Sequence, residues 1–151
     1  MRLNTFTDYS LRTLIYLAIQ NASPLVTRRE IAAAHGISDN HLMKVVNFLS
    51  RNGYIETTRG KGGGMRLARV PEKINIGKLV YDCEADIPLV GCLKCKNRAN
   101  NSYCKLVGVC VLKDFLSEAH QAMYETLEQY TLADIIVKKA ALQRRLGLKV
   151  S

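Results

Sequence analysis

Two short helices separated by a glycine, followed at once by a glycine-rich hairpin, constrain the fold of this chain most strongly. Thr27-Arg28-Arg29-Glu30 is a capping-box pattern, in which a threonine hydroxyl and a later glutamate satisfy the first amides of a helix. Gly36 can adopt the left-handed conformation that ends this helix after about His35. Ser38 is the next N-cap, and the second helix runs to about Asn52. This order predicts a helix-turn-helix unit.

The residues that follow change from a helical to a strand-like pattern. Tyr54–Thr58 and Met65–Ala68 are β-prone runs on either side of residues 59–64, which include four glycines. Two such runs around a glycine turn predict a β-hairpin. A hairpin directly after a helix-turn-helix is the wing of a winged helix. We therefore predict a mainly α fold with a small β-hairpin wing, in which residues 1–80 form a winged-helix DNA-binding domain.

Helical periodicity organises the rest of the chain. A first helix is predicted over residues 7–20 and a short one over residues 76–83. The loop-like segment 81–109 is rich in cysteine. Residues 110–137 show an approximate apolar heptad and predict one long helix that dimerises with a second copy, the alternative being packing within its own chain. Residues 138–151 form a basic C-terminal tail without a clear pattern.

The positive charge of the chain is concentrated in its N-terminal part. Residues 1–80 hold 12 Lys/Arg against 5 Asp/Glu, whereas residues 81–151 hold 10 against 8. Because each neutralised phosphate releases counterions, such a surplus favours a polyanionic partner, although a solvated basic surface has the same composition. Without a Ser-His-Asp set, a paired-carboxylate motif or a nucleotide loop, we do not expect an enzyme. Neither a signal peptide nor a run of about 20 apolar residues is present, which predicts a cytoplasmic protein.

The start of the second helix is the predicted reading element. In a winged helix this segment lies in the major groove, with its N-terminal residues facing base edges. Asn40 offers a bidentate match to adenine, and His41 and Lys44 can donate to guanine or phosphate. Ser38 is a further candidate, although its role as a helix cap and the favourable charge of Asp39 at a helix N-terminus are the better explanations for these two residues.

Other basic residues are predicted to grip the DNA backbone. Arg28 and Arg29 begin the first helix of the pair and are placed to contact phosphates without reading sequence. Arg59 and Lys61 at the wing tip are placed to enter a minor groove or bind phosphates. Gly62 and Gly63 permit close backbone approach to DNA, the alternative being a bare tight turn.

Cysteines mark the region between the hairpin and the long helix. The five are Cys83, Cys92, Cys95, Cys104 and Cys110, and an odd number in a chain expected in the cytoplasm argues against a disulfide framework. The last four show the spacing C-x2-C-x8-C-x5-C, and thiolates bind iron–sulfur clusters or tetrahedral zinc. The x5 gap is wide for a structural zinc pair. Cys83 lies in a helical pattern and is expected to be a small buried hydrophobe.

Five segments of the sequence resemble the NsrR-type nitric-oxide-sensing repressors, relatives of the iron–sulfur regulator IscR. They are Thr5–Tyr9, His41–Val46, Arg59–Leu67, Leu89–Cys92 and Tyr130–Asp134. The resemblance implies a homodimeric repressor that binds a double-stranded DNA operator. It also implies an iron–sulfur cluster in each cysteine loop, [4Fe-4S] in preference to [2Fe-2S], with nitric oxide as the signal that releases the DNA.

The resemblance further implies a set of cluster ligands. Cys104 and Cys110 match the family pair separated by five residues, Cys92 matches the first cysteine, and Asp8 of the partner subunit completes the site. The chain departs from the family pattern at Cys95, which is extra, and in the eleven residues between Cys92 and Cys104. Cys95 is therefore the alternative first or fourth ligand. A zinc-stabilised or thiol-based redox regulator, or an IscR-like sensor of cluster status, is the alternative function.

Overall fold

A computed structural model of the chain describes residues 3–20, 25–84, 90, 105–106 and 109–150. Within these residues the protein is mostly helical with one two-stranded antiparallel sheet, as the sequence predicts. The elements in chain order are α1 (Thr5–Ile19), α2 (Arg28–His35), α3 (Asp39–Arg51), β1 (Ile55–Thr58), β2 (Gly64–Leu67), a 3₁₀ helix (Pro71–Lys73), α4 (Ile76–Glu84), α5 (Leu112–Glu128), α6 (Leu132–Ile135) and α7 (Lys139–Arg145).

Local capping residues set the boundaries of the helix-turn-helix. The backbone amide of Thr27 donates to the Glu30 carboxylate at 2.6 Å, and the Glu30 amide donates back to the Thr27 hydroxyl at 3.3 Å. Gly36 ends α2 with a φ of 63°, a left-handed conformation that a residue with a side chain rarely adopts. The hydroxyl of Ser38 then caps α3. The predicted bounds of both helices are confirmed to within one residue.

Helix α1 begins two residues earlier than the sequence predicts. Its cap is Asn4, whose side-chain oxygen accepts a hydrogen bond from the Thr7 amide at 2.8 Å. The buried carboxylate of Glu84, at the end of α4, accepts from the Asn4 amide at 2.9 Å and from the Thr7 hydroxyl. Glu84 is 80 residues from Asn4 in sequence, so no pattern near the start of α1 predicts that Glu84 also stabilises it.

The wing is joined to the helices through a short backbone pairing. Val26 and Met65 form an antiparallel bridge, with N–H···O distances of 3.0 and 2.7 Å, that extends the β1–β2 hairpin towards α2. A Cβ on Gly64 would lie 2.8 Å from the Cβ of Leu25, so a glycine is required for this close approach. The apolar side chains of α1 and α3, including Leu14 and Leu42, form the core beneath it.

The predicted long helix is divided. Helix α5 ends at Glu128 because the backbone groups that would continue it are used elsewhere. The carbonyl of Tyr130 accepts from Ile76 at 3.0 Å, and Leu132 donates to Ile74 at 2.9 Å. A capping box at Thr131 then starts α6. The tail is also ordered, since it forms α7 and packs against α1. No helix in the described ranges is long and apolar enough to cross a membrane.

The crossing of α4 and α5 depends on Gly77, whose missing side chain lets the backbone of Glu128 approach. A Cβ at position 77 would lie 2.8 Å from the Glu128 Cα. Gly77→Ala is expected to lower the free energy of unfolding by about 1–3 kcal/mol in urea denaturation, since overpacking outweighs a helix-propensity gain of about 1 kcal/mol. Lys78→Ala, which removes only an exposed ion pair with Asp82, is the control and should cost about 1 kcal/mol or less. A Gly77→Ala protein more stable than the unmodified chain would contradict this packing.

Candidate DNA-binding surface and metal-ligating residues

The first turn of α3 presents the predicted reading residues to solvent. Asn40, His41 and Lys44 are all exposed. Within the described part of the chain, the side chains of Asn40 and Lys44 make no hydrogen bond or ion pair. The hydroxyl of Ser38 accepts from the His41 amide at 3.4 Å, which supports the structural explanation of Ser38 as a cap. The three exposed side chains are therefore available for contacts with a groove.

A bidentate ion pair joins the starts of α2 and α3. The Arg28 guanidinium donates from Nε and Nη2 to the two carboxylate oxygens of Asp39, each at 2.6 Å. Arg28 is thus occupied in the free protein, whereas the sequence predicts it to contact phosphates. Its neighbour Arg29 is exposed and has no ion-pair partner among the described residues. Of these two arginines, Arg29 is the one whose charge is open to a phosphate.

Glycine conformations shape the tip of the wing. Gly60 and Gly62 have φ values of 97° and 78°, and the Gly63 amide donates to the Gly60 carbonyl at 3.0 Å. A Cβ on Gly63 would lie 2.9 Å from that same carbonyl oxygen. The tight-turn explanation therefore accounts for Gly62 and Gly63 without DNA, and their contact with DNA stays a prediction.

Some charged residues of the wing form an ion pair and others do not. Arg66 donates to Glu56 at 2.8 Å, directly across the hairpin, because these two residues oppose each other in the strand register. Arg59 and Lys61 at the tip are exposed and make no ion pair with any described carboxylate. The tip of the wing thus carries two cations that no described carboxylate neutralises.

Asp8 lies on α1 beside the helix-turn-helix. Its two carboxylate oxygens accept from Arg12 Nε at 3.0 and 2.9 Å, and its side chain is 45% exposed. Both residues line an open pocket of about 620 Å³, whose opposite wall is the α2–α3 turn with His35 and Ile37. A group bound at Asp8 would therefore adjoin the turn that sets the angle between α2 and α3.

Aromatic contacts continue from this pocket to the reading helix. The ring of Tyr9 lies 6.0 Å from the ring of His41, and Tyr16 meets His35 edge-on at 5.9 Å. Burial lowers the pKa of His35, and the positive charge of Arg12 lowers it further, so the imidazole is neutral at pH 7. The neutral ring packs between α1 and α2 without the cost of a buried charge.

Two of the five cysteines, Cys83 and Cys110, lie within the described residues. Cys110 is half-buried, two residues before α5, and its backbone amide donates to Leu106 at 3.1 Å. Cys92, Cys95 and Cys104 lie outside the described residues. Among the residues that are described, no three His, Cys, Asp or Glu side chains come together as a metal site.

Cys83 differs from Cys110 because its thiol lies at the packed contact between α4 and α1. It packs on α4 against α1, and burial is the main cause that raises the pKa of its thiol to about 11. A thiol with such a pKa is protonated at neutral pH, whereas metal ligation requires a thiolate. This supports the prediction that Cys83 has a structural role.

Comparison with known proteins decides the family. Residues 3–138 match the Rrf2 family model, described as an iron-dependent transcriptional regulator. This chain belongs to the Rrf2 family. The chain is 46% identical to the HTH-type transcriptional regulator NsrR of Halalkalibacterium halodurans, with 99% of each chain covered. It is 44% identical to the regulator of the same name from Bacillus licheniformis, which covers 97% of this chain and 100% of the relative.

Solved structures share the fold of this chain. The structure titled T. potens IscR superposes with a TM-score of 0.69 at 24% identity, covering 95% of this chain and 91% of its own. CymR of B. subtilis, titled the global cysteine regulator, has a TM-score of 0.67 at 24% identity, with 89% and 95% covered. The resemblance to NsrR-type regulators is confirmed, and the protein is a winged-helix transcriptional regulator of this family rather than an enzyme.

Sequence reasoning missed two residues that contact the start of α1 in this Rrf2 chain. Arg12 follows Asp8 by four residues, the helical spacing at which opposite charges pair, and that pattern could have been noticed. Glu84 anchors the start of α1 near Asp8, but no local pattern links it to Asn4 or Thr7.

Proposed function

We propose that this regulator is a homodimeric repressor that binds a pseudo-palindromic DNA operator and releases it when nitric oxide reacts with an iron–sulfur cluster. The observation that carries the proposal is the position of Asp8, whose carboxylate opens into a pocket walled by the helix-turn-helix. A ligand at this residue acts directly on the element that reads DNA. The name shared by the curated relatives, NsrR, supports the same function.

The residues that would hold the cluster are Cys92, Cys104, Cys110 and Asp8 of the partner subunit, with Cys95 as the alternative ligand. The two that lie in the described part of the chain fit such a group, since Cys110 is a half-buried free thiol and the Asp8 carboxylate is partly exposed to solvent. Thiolates are the usual ligands of iron–sulfur clusters, and a carboxylate is a harder, weaker one. Bound there, a [4Fe-4S] cluster, or a [2Fe-2S] cluster, would supply iron that takes up nitric oxide.

The chain's own residues provide the coupling to DNA. Arg12 donates to both oxygens of Asp8, so ligation of Asp8 competes with this ion pair. Tyr9, the next residue, rests against His41 in the first turn of α3. We expect a change in the pairing of Asp8 to reach the first turn of α3 through this contact.

The cofactor is tested by anaerobic purification followed by a visible spectrum with iron and sulfide analysis. Visible absorption with near-equal iron and sulfide is the expected result. A colourless protein that contains zinc would contradict the proposal. It would favour the zinc-stabilised regulator, for which the close pair Cys92-x2-Cys95 is the supporting feature.

Dimerisation is expected from the apolar face at the start of α5. Val111, Leu112 and Phe115 are 56–63% exposed, although α5 is an ordered helix. Footprinting should show two half-sites about one or two helical turns apart, because two-fold protein symmetry imposes symmetry on the operator. Phe115→Asp should give a monomer that loses this footprint, whereas Lys113→Asp, on the same turn, should not. Protection of one unpaired half-site by the unmodified protein would count against a dimer.

A further inference from the structure

The basic C-terminal segment is a surface that the proposed function leaves unexplained. Residues 138–149 contain five Lys/Arg and no Asp/Glu, in a chain whose net charge is +9. The five are Lys138, Lys139, Arg144, Arg145 and Lys149. A twelve-residue stretch thus carries more than half of the excess charge.

This segment is fastened to the DNA-binding domain. Gln143 is 1% exposed, and its Nε2 donates to the Ile19 carbonyl, at the end of α1, at 2.7 Å. Gly147, in a left-handed conformation, turns the chain so that the Leu148 amide donates to the Gln143 carbonyl at 2.9 Å. Leu146 and Leu148 pack against the core. The helix that carries these cations is therefore docked on the DNA-binding domain.

The outer face of α7 is cationic. Helical spacing turns Leu142, Gln143 and Leu146 inwards, and leaves Ala140, Ala141, Arg144 and Arg145 exposed. In the part of the chain that the structure describes, neither arginine pairs with a carboxylate, and Arg144 Nε donates only to the Ala140 carbonyl at 3.3 Å. Because the two alanines are short, they leave both guanidinium groups uncovered.

We propose that Arg144 and Arg145 form a second phosphate-binding surface, which grips DNA flanking the half-site read by α3. A guanidinium group suits phosphate oxygens in both geometry and charge. Helix α1 connects this surface to the DNA-binding elements. At its end, the Ile19 carbonyl accepts from Gln143 of α7. Further along the chain, Val26 pairs with Met65 of the wing. DNA is the favoured polyanion because these arginines are fixed to the domain that reads it. The proposal rests on DNA binding and not on the cluster.

The test compares two operator duplexes in fluorescence anisotropy with the full-length protein. One ends at the outer base pairs of the two footprinted half-sites, and the other extends about one helical turn further on each side. On the long duplex, Arg144→Gln/Arg145→Gln should reduce the slope of log K against log salt by about 0.9 per lost contact, so by about two per protomer. On the short duplex the slope should stay unchanged.

Matched variants separate this surface from general charge effects. Lys73→Gln/Lys78→Gln removes the same charge from exposed positions in the 3₁₀ helix and in α4, and should leave the difference in salt slope between the long and short duplexes unchanged. Arg144→Lys/Arg145→Lys should retain most of the slope of log K against log salt on the long duplex, since the positive charge remains. The proposal would be overturned if the Lys73/Lys78 variant lost as much salt slope on the long duplex as the Arg144/Arg145 variant does. An Arg144→Gln/Arg145→Gln protein that is less stable thermally but unchanged on both duplexes would also overturn it, because the arginines would then only balance the end of the helix.

Discussion

Replacing Cys110 with alanine is expected to abolish the visible absorption of the anaerobically purified protein. Iron–sulfur clusters are held chiefly by thiolates, and Cys110 is the candidate ligand nearest the start of α5. Cys104→Ala should have the same effect, because the two residues form the x5 pair. The loss is measured as absorbance per protein together with iron and sulfide content. DNA affinity measured on the same samples should fall with the iron content.

Cys83→Ala is the matched control for these variants. It removes a thiol from the same chain, but burial raises the pKa of Cys83 to about 11 and its side chain packs against α1. The chromophore should therefore persist in this variant.

Asp8→Ala should retain much of the colour but alter its stability or its response to nitric oxide, since a carboxylate is the weakest of the proposed ligands. Cys95→Ala should have a mild effect. If Cys95→Ala abolished the colour while Asp8→Ala changed nothing, the site would be all-cysteine and contained in one subunit. The proposed contribution of the partner subunit would then be wrong.

The second large effect is expected at the reading helix. Asn40→Ala should weaken operator binding about 10–100-fold while changing the affinity for random-sequence DNA little, because a bidentate contact to a base is worth about 1–3 kcal/mol of discrimination. His41→Ala should act in the same direction. Both side chains are exposed in the first turn of α3. Parallel titrations of the two DNAs at one salt concentration measure the difference.

Variants of Arg28 and Arg29 are expected to differ from those of Asn40 and His41 in how they affect the two DNAs. Arg29→Ala should weaken binding to both DNAs alike and reduce the salt slope by about 0.9, as expected for a lost phosphate contact. Arg28→Ala should lower operator affinity more than random binding, because Arg28 positions Asp39 at the start of α3. Equal losses on both DNAs for Asn40, His41 and Arg29 variants would show that the reading helix is misassigned.

Short-range patterns were sufficient to predict the DNA-binding half. The capping box at Thr27, the left-handed Gly36 and the cap at Ser38 act within a few residues, so the sequence alone predicted α2 and α3 to within one residue. The glycines of residues 60–64 likewise predicted the wing, because its turn requires conformations that other residues disfavour. The family resemblance also followed from sequence, since its motifs are contiguous.

Long-range contacts decided what the sequence left open. Helix α5 stops because Tyr130 and Leu132 use their backbone groups to pair with Ile76 and Ile74, more than 50 residues earlier. The tail became a docked helix because Gln143 reaches Ile19, 124 residues away. Arg28 pairs with Asp39 across the turn, an ion pair between the starts of α2 and α3 that the sequence did not predict. Periodicity and capping record only neighbours along the chain, whereas each of these partners is brought close by packing.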